Sequence, residues 1–137
     1  MKYMMMVIAD RNSPNGKDYE AGMPPDPKLM QALGKQSSEM AKAGILLGTG
    51  GLLPFSKGAR VRAGGGKLTV TDGPFVESKE VIGGYGILQA KSKEEAIELG
   101  KGFMKMHMDV LGPSYEGILE IREMSDSMDC GSGDAKP

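Results

Sequence analysis

Two side chains in this sequence are placed to move a proton. His107 is the single histidine of the 137-residue chain, and an unperturbed imidazole titrates at about 6.5. Asp72 heads the compact run Asp72-Gly73-Pro74-Phe75, in which Pro takes the second position of a tight reversal. Each residue has two readings. Asp72 either caps that reversal with its side chain or presents a carboxylate to a cleft, as a base or as the orienter of a histidine. His107 falls on the apolar stripe of a helix, one turn beyond Phe103. There it either bonds a backbone carbonyl in the core or faces a cleft as general acid or base.

Around this pair stand residues that could hold a ligand. Tyr85 lies in a glycine-flanked strand, where its hydroxyl either donates to a ligand or is satisfied by packing. Lys57, Arg60, Arg62 and Lys67 put four positive charges in eleven residues with no acid among them. They either point into water or attract an anionic group, for which Arg62 is the candidate. Glu77 and Lys79, with Glu80, form a charged loop that is either a solvated surface or the rim of a polar-ligand site.

Other chemistries find no support. One Cys and one His, far apart, exclude the familiar zinc spacings. Gly48-Thr49-Gly50-Gly51 lacks the Lys-Ser/Thr and the following helix of a phosphate loop. There is no Gly-x-Ser-x-Gly elbow, and Cys130 stands in a small, polar tail. The expectation is therefore no metal and no cofactor. A formal charge of −1 and no aromatic residues interleaved with the basic cluster argue against nucleic acid as a partner.

The elements that must position these residues follow from pattern. Length suits one domain, and 21 glycines are about twice the usual ~7 %. Tyr3 to Ala9 is apolar throughout but stops at Asp10-Arg11, too short for a secretory leader and far short of the ~20 apolar residues of a membrane span. It reads as a strand, in a cytoplasmic protein without membrane contact. Residues 10–26, with Pro14, Asn15, Gly16, Pro24 and Pro25, read as a long loop. Asp26-Pro27 opens a helix whose Leu29, Met30, Leu33, Met40 and Ala41 recur at helical spacing, and Gly44 stops it. A strand over 45–53, a hairpin over 59–72 turning at Gly64-Gly65-Gly66, and a strand over 81–90 come next. Ser92 and Glu95 form a capping box for a second helix closed by Gly112-Pro113. The last strand covers 117–124, and residues 125–137 read as a disordered tail after a domain over 1–124.

This order is the split β-α-β pattern of an α+β, ferredoxin-like fold. It has an antiparallel sheet, two helices on one face and an inserted hairpin. The first strand is apolar on both sides, so the other sheet face also needs a cover. A second copy related by two-fold symmetry supplies one, which predicts a homodimer.

Asp72-Gly73-Pro74-Phe75, followed by Val76 to Glu80 and by Gly83-Gly84-Tyr85, resembles the signature of the YCII-related proteins of the DGPF type. Lys2-Tyr3-Met4, Ala43 to Leu46, Gly51 to Pro54 and Glu116 to Arg122 extend the resemblance over residues 1 to about 124. It implies a dimeric α+β barrel with two sheets facing each other. In the wider group a His-Asp pair is suspected of catalysis, with the His near the start of the first helix. Leu29, Met30 and Gln31 stand there in this chain, so that pair does not transfer.

Two functions are expected. In the first, a small organic and anionic molecule binds in a cleft between sheet and helices. It undergoes cofactor-independent proton transfer of the isomerase or lyase type, with Asp72 and His107 catalytic and Tyr85, Arg62, Glu77 and Lys79 holding it. In the second, suggested by the resemblance, the chain is a non-catalytic sensor or accessory of a sigma-factor-type regulator.

Overall fold

The apolar opening run becomes the centre of the sheet. A computed structural model describes residues 1–75 and 77–126. The elements are β1 (Lys2–Asp10), α1 (Pro14–Glu20), α2 (Pro27–Lys42), β2 (Leu46–Gly51), β3 (Ala59–Gly64), β4 (Lys67–Asp72), β5 (Glu80–Gln89), α3 (Lys93–Leu111) and β6 (Ile118–Glu123), with a short 3-10 turn at Phe55–Lys57. Four strands form one sheet in the order β2-β5-β1-β6, with every neighbouring pair antiparallel. This is the ferredoxin-like order. The sheet does not close into a barrel within one chain, because β2 and β6 are left as edges. The expected tail, apart from Ser125 and Asp126, lies outside the described residues, as does Cys130.

Strand alternation divides the sheet into two unlike faces. Tyr3 and Met5 are buried with Leu88, Ala90 and Ala96, and Met40, Leu46, Leu99, Leu119 and Ile121 close around them. These come from α2, α3 and the strands, so the two long helices cover this face. On the other face Met4 lies opposite Ile87 and Arg122, and Met6 opposite Tyr85 and Glu120. A bulge then leaves Gly83 unpaired, and Ile8 meets Ile82 on one side and Ile118 on the other. Ile82 and Ile118 remain 40 % and 55 % exposed. Among the described residues no long helix lies over this face, and burial of each such exposed side chain is worth ~1.5–3 kcal/mol that one copy alone forgoes.

The helix ends behave as their residues dictate. Asp26 accepts from the Lys28 amide at 2.8 Å, and Ser92 from that of Glu95 at 3.1 Å. Gly44 and Gly112 take φ of 75° and 90° just past the helices they end.

The stretch read as a loop over 10–26 is the main correction, for α1 forms inside it. Seven residues without an apolar period give no helical signal, and an isolated helix of that length is unstable. Local capping and tertiary bonds hold it instead. Ser13 Oγ donates to the Asp10 carbonyl at 2.6 Å and accepts from the Gly16 amide at 3.1 Å. Asn15 donates to the Glu116 carbonyl before β6, and the Tyr19 hydroxyl to the Leu52 carbonyl after β2. The helix thus ties together the chain beside both outer strands. Gly16 is required, since a Cβ there would lie 2.1 Å from the Asp10 carbonyl oxygen.

β3 and β4 form a separate two-stranded ribbon, turning at Gly65 and Gly66 with φ of 59° and 77°. Positive φ at both central positions is the hairpin turn that glycines favour. Among the described residues no helix is long and apolar enough to cross a membrane.

Candidate functional site

The Asp72–Phe75 run is a clasp at the foot of the hairpin. The Gly73–Pro74 peptide bond is cis, and the Gly73 amide donates to the Gly58 carbonyl at 2.9 Å. A Cβ on Gly73 would fall 1.7 Å from the Phe55 carbonyl oxygen, so only glycine fits there. Phe75 is buried and meets Phe55 edge to face at 5.3 Å. Arg60 lays its guanidinium 4.0 Å over the Phe75 ring and donates to Glu77 and Ser78, each at 2.8 Å. Arg11 donates to the Phe75 carbonyl at 2.7 Å, and its amide to that of Lys79 at 2.8 Å. One buried ring and two arginines thus fasten the loop to the end of β1.

The clasp uses two of the anticipated ligand-binding residues structurally. Glu77 pairs with Arg60, and the Lys79 carbonyl receives Arg11. Arg62 is exposed on the ribbon opposite Thr69. Asp72 is exposed at the end of β4 opposite Ala59, and the reversal is closed by backbone bonds. Tyr85 is half-buried on the bare sheet face, its ring over Gly50, where a Cβ would lie 2.9 Å from the ring edge.

His107 is 6 % exposed, with Nδ1 2.9 Å from the Phe103 carbonyl oxygen. Because that partner is an acceptor, Nδ1 is the donor of this bond, and Nε2 is the ring nitrogen left for another partner. The imidazole lies between Phe103, at 4.7 Å between centroids, and Tyr115, at 5.4 Å. Asp72 and His107 thus belong to separate neighbourhoods, and no contact among the described residues joins them.

Tyr115 leads from His107 into a groove of about 600 Å³ between α3 and β6. Ile97, Met104, Met108, Leu119 and Ile121 make its apolar walls, and Lys101, Tyr115 and Glu116 bring polar atoms to it. Gly100 sets its depth, for a Cβ there would come within 3.0 Å of the Ile121 and Leu119 side chains. Burial raises the Tyr115 pKa above its ordinary value, so the phenol stays a proton donor at neutral pH. An apolar trough with a phenol, an ammonium and a carboxylate suits a molecule with an apolar body and one charged end. Sequence reasoning passed over this groove. The available signal was Gly100 in mid-helix, where glycine costs about 1 kcal/mol against alanine and needs a packing reason. Among the described residues no group of His, Cys, Asp and Glu could hold a metal ion.

Comparison with known proteins gives two results. Residues 1–107 match the family model of the YCII-related domain. The chain is also 30 % identical over 76 residues to an uncharacterized protein of Rhizobium meliloti (strain 1021), an alignment covering 56 % of this chain. It spans 61 % of that relative's length.

Proposed function

The chain belongs to the YCII-related family, and from that premise we propose that it is a cytoplasmic homodimer, of the DGPF type, that binds a small organic anion. The groove between α3 and β6 is the binding site and is the observation that carries this reading. Its walls are flexible thioethers and branched aliphatics, which adapt to a ligand body. Lys101, exposed at the rim and 3.2 Å from Glu98, turns to the ligand's anionic end. The Tyr115 hydroxyl donates the orienting hydrogen bond. Two bare sheet faces meeting across a two-fold axis make the dimer, as the exposed Ile82 and Ile118 on either side of the buried Ile8 favour.

Chemistry beyond binding would be proton transfer and would fall to His107, whose ring backs Tyr115. For Asp72 to take part, the ligand or the hairpin must bridge the gap between them.

A methyl and imidazole NMR titration tests the site. Aromatic and aliphatic carboxylic acids should move the Met104 and Met108 methyl signals and the His107 ring protons together, while neutral analogues act weakly. Lys101→Met should weaken carboxylate binding roughly fivefold, the effect of losing one exposed charge-assisted bond worth about 1 kcal/mol. Unmoved Met104 and Met108 signals across the whole panel would sink the reading.

A further inference from the structure

β6 ends the sheet with one side unmatched. The Met124 amide donates to the Lys2 carbonyl at 2.8 Å, so Lys2 and Met124 are a hydrogen-bonded pair of the antiparallel ladder. Alternation then turns the backbone of Arg122, Glu120 and Ile118 toward β1, and that of Leu119, Ile121 and Glu123 away from it. Among the described residues nothing pairs with those three, since β6 is the last strand of the sheet. A row of alternating donors and acceptors is satisfied in full by another strand. The opposite edge, β2, has three glycines in six residues and gives an incoming strand little to pack on.

The side chains of β6 select that strand. Glu120 and Arg122 are both exposed and share the bare sheet face, opposite Met6 and Met4. Charges of one sign on an edge repel a second copy of it. Here the signs differ, and the edge is complementary to itself. For two copies of β6 lying antiparallel, one central register places Glu120 against Glu120, and another places Arg122 against Arg122. The register centred on Ile121 instead sets Glu120 of each copy opposite Arg122 of the other. Both of these pairs fall in non-hydrogen-bonded positions, where side chains come closest, while Leu119, Ile121 and Glu123 exchange backbone bonds.

We propose that β6 pairs antiparallel with β6 of a second copy of this chain, about a two-fold axis at Ile121, joining the two four-stranded sheets edge to edge. Each α3 sits over its own β1 and β6, as the closeness of Gly100 to Met5, Leu119 and Ile121 shows. Strands spaced at ~4.8 Å then bring the two helices to about 10 Å, an ordinary packing distance. The axis passes Ile121, so the Met108 and Tyr115 end of each groove lies away from it. This contact is independent of the face-to-face dimer. That two-fold lies parallel to the sheets and this one stands perpendicular to them, so both together hold four copies.

Sedimentation equilibrium and disulfide trapping on the full chain test the pairing. Glu120→Arg or Arg122→Glu alone should weaken one association step at least tenfold. The two together should restore it to within threefold of wild type, with the Leu88 and Ala96 NMR signals unmoved in all three. In a Cys130→Ser background, Glu120→Cys mixed with Arg122→Cys should cross-link, whereas each variant alone should not. Association that ignores both charge reversals, or cross-links that form equally well in each variant alone, would overturn the edge pairing and leave the face-to-face dimer standing. So would exchange protection of the Leu119 and Ile121 amides that does not rise with protein concentration, because the chain's own residues 127–137 would then hold the edge. A monomer at millimolar concentration would overturn both dimers.

Discussion

At the residue scale, one ring decides how the motif loop holds its shape. Phe75 is buried between Phe55 and the Arg60 guanidinium, and its carbonyl takes the Arg11 side chain. Phe75→Ala empties that space and should cost about 3–5 kcal/mol in urea unfolding, the usual loss for a buried phenylalanine. Asp72, exposed and outside the backbone bonds of the reversal, predicts the contrast. Asp72→Asn should stay within about 0.5 kcal/mol of wild type, as surface substitutions do. If Asp72→Asn proves as costly as Phe75→Ala, the carboxylate and not the ring alone is holding the turn. The charged pair beside the ring contributes less, since Arg60 and Glu77 are both largely open to water.

At the element scale, α1 shows how tertiary bonds make a helix where the local pattern has none. Its cap is Ser13, and its outer ties are Asn15 to Glu116 and Tyr19 to Leu52. Ser13→Ala removes the cap and should cost about 1 kcal/mol. Hydrogen exchange should quicken first at the amides of residues 16–21, with α3 unaffected. Equal acceleration in α3 would mean that α1 is not a separate local unit. The hairpin is the opposite case. Its alternation and glycine turn predicted a ribbon, yet they say nothing about what lies over it, because strand period reports an apolar face and not the surface that meets it.

At the scale of the whole molecule, burial leaves a signature in alkali. Burial raises the pKa of Tyr3, Tyr19 and Tyr115, with nearby Glu123 and Glu94 adding at Tyr3 and Glu20 at Tyr19. A phenol whose folded-state pKa exceeds its unfolded value keeps its proton longer in the native state. The unfolded chain therefore holds fewer protons above pH 10, and stability falls as pH rises through that region. Absorbance at the phenolate band should show these three tyrosines titrating late, together with a drop in denaturation midpoint above pH 10. Three phenols titrating at the ordinary value would show that they are not buried in solution.

The sequence by itself determined the strand order, both long helices with their caps, and the amphipathic hairpin. Each of these is a local period or a local capping bond, written in neighbouring residues such as Asp26-Pro27, Ser92 to Glu95 and Gly65-Gly66. It also marked Asp72 to Phe75 as a motif, but left open whether the Asp72 carboxylate caps the turn or faces a cleft. Only the tertiary structure decided the rest. It put Phe75 under Arg60, made a helix of residues 14–20, set His107 against Phe103 and Tyr115 apart from Asp72, and opened the groove beside Gly100. These depend on contacts between residues as distant as Asn15 and Glu116, and no periodicity in a single chain encodes which distant side chains meet.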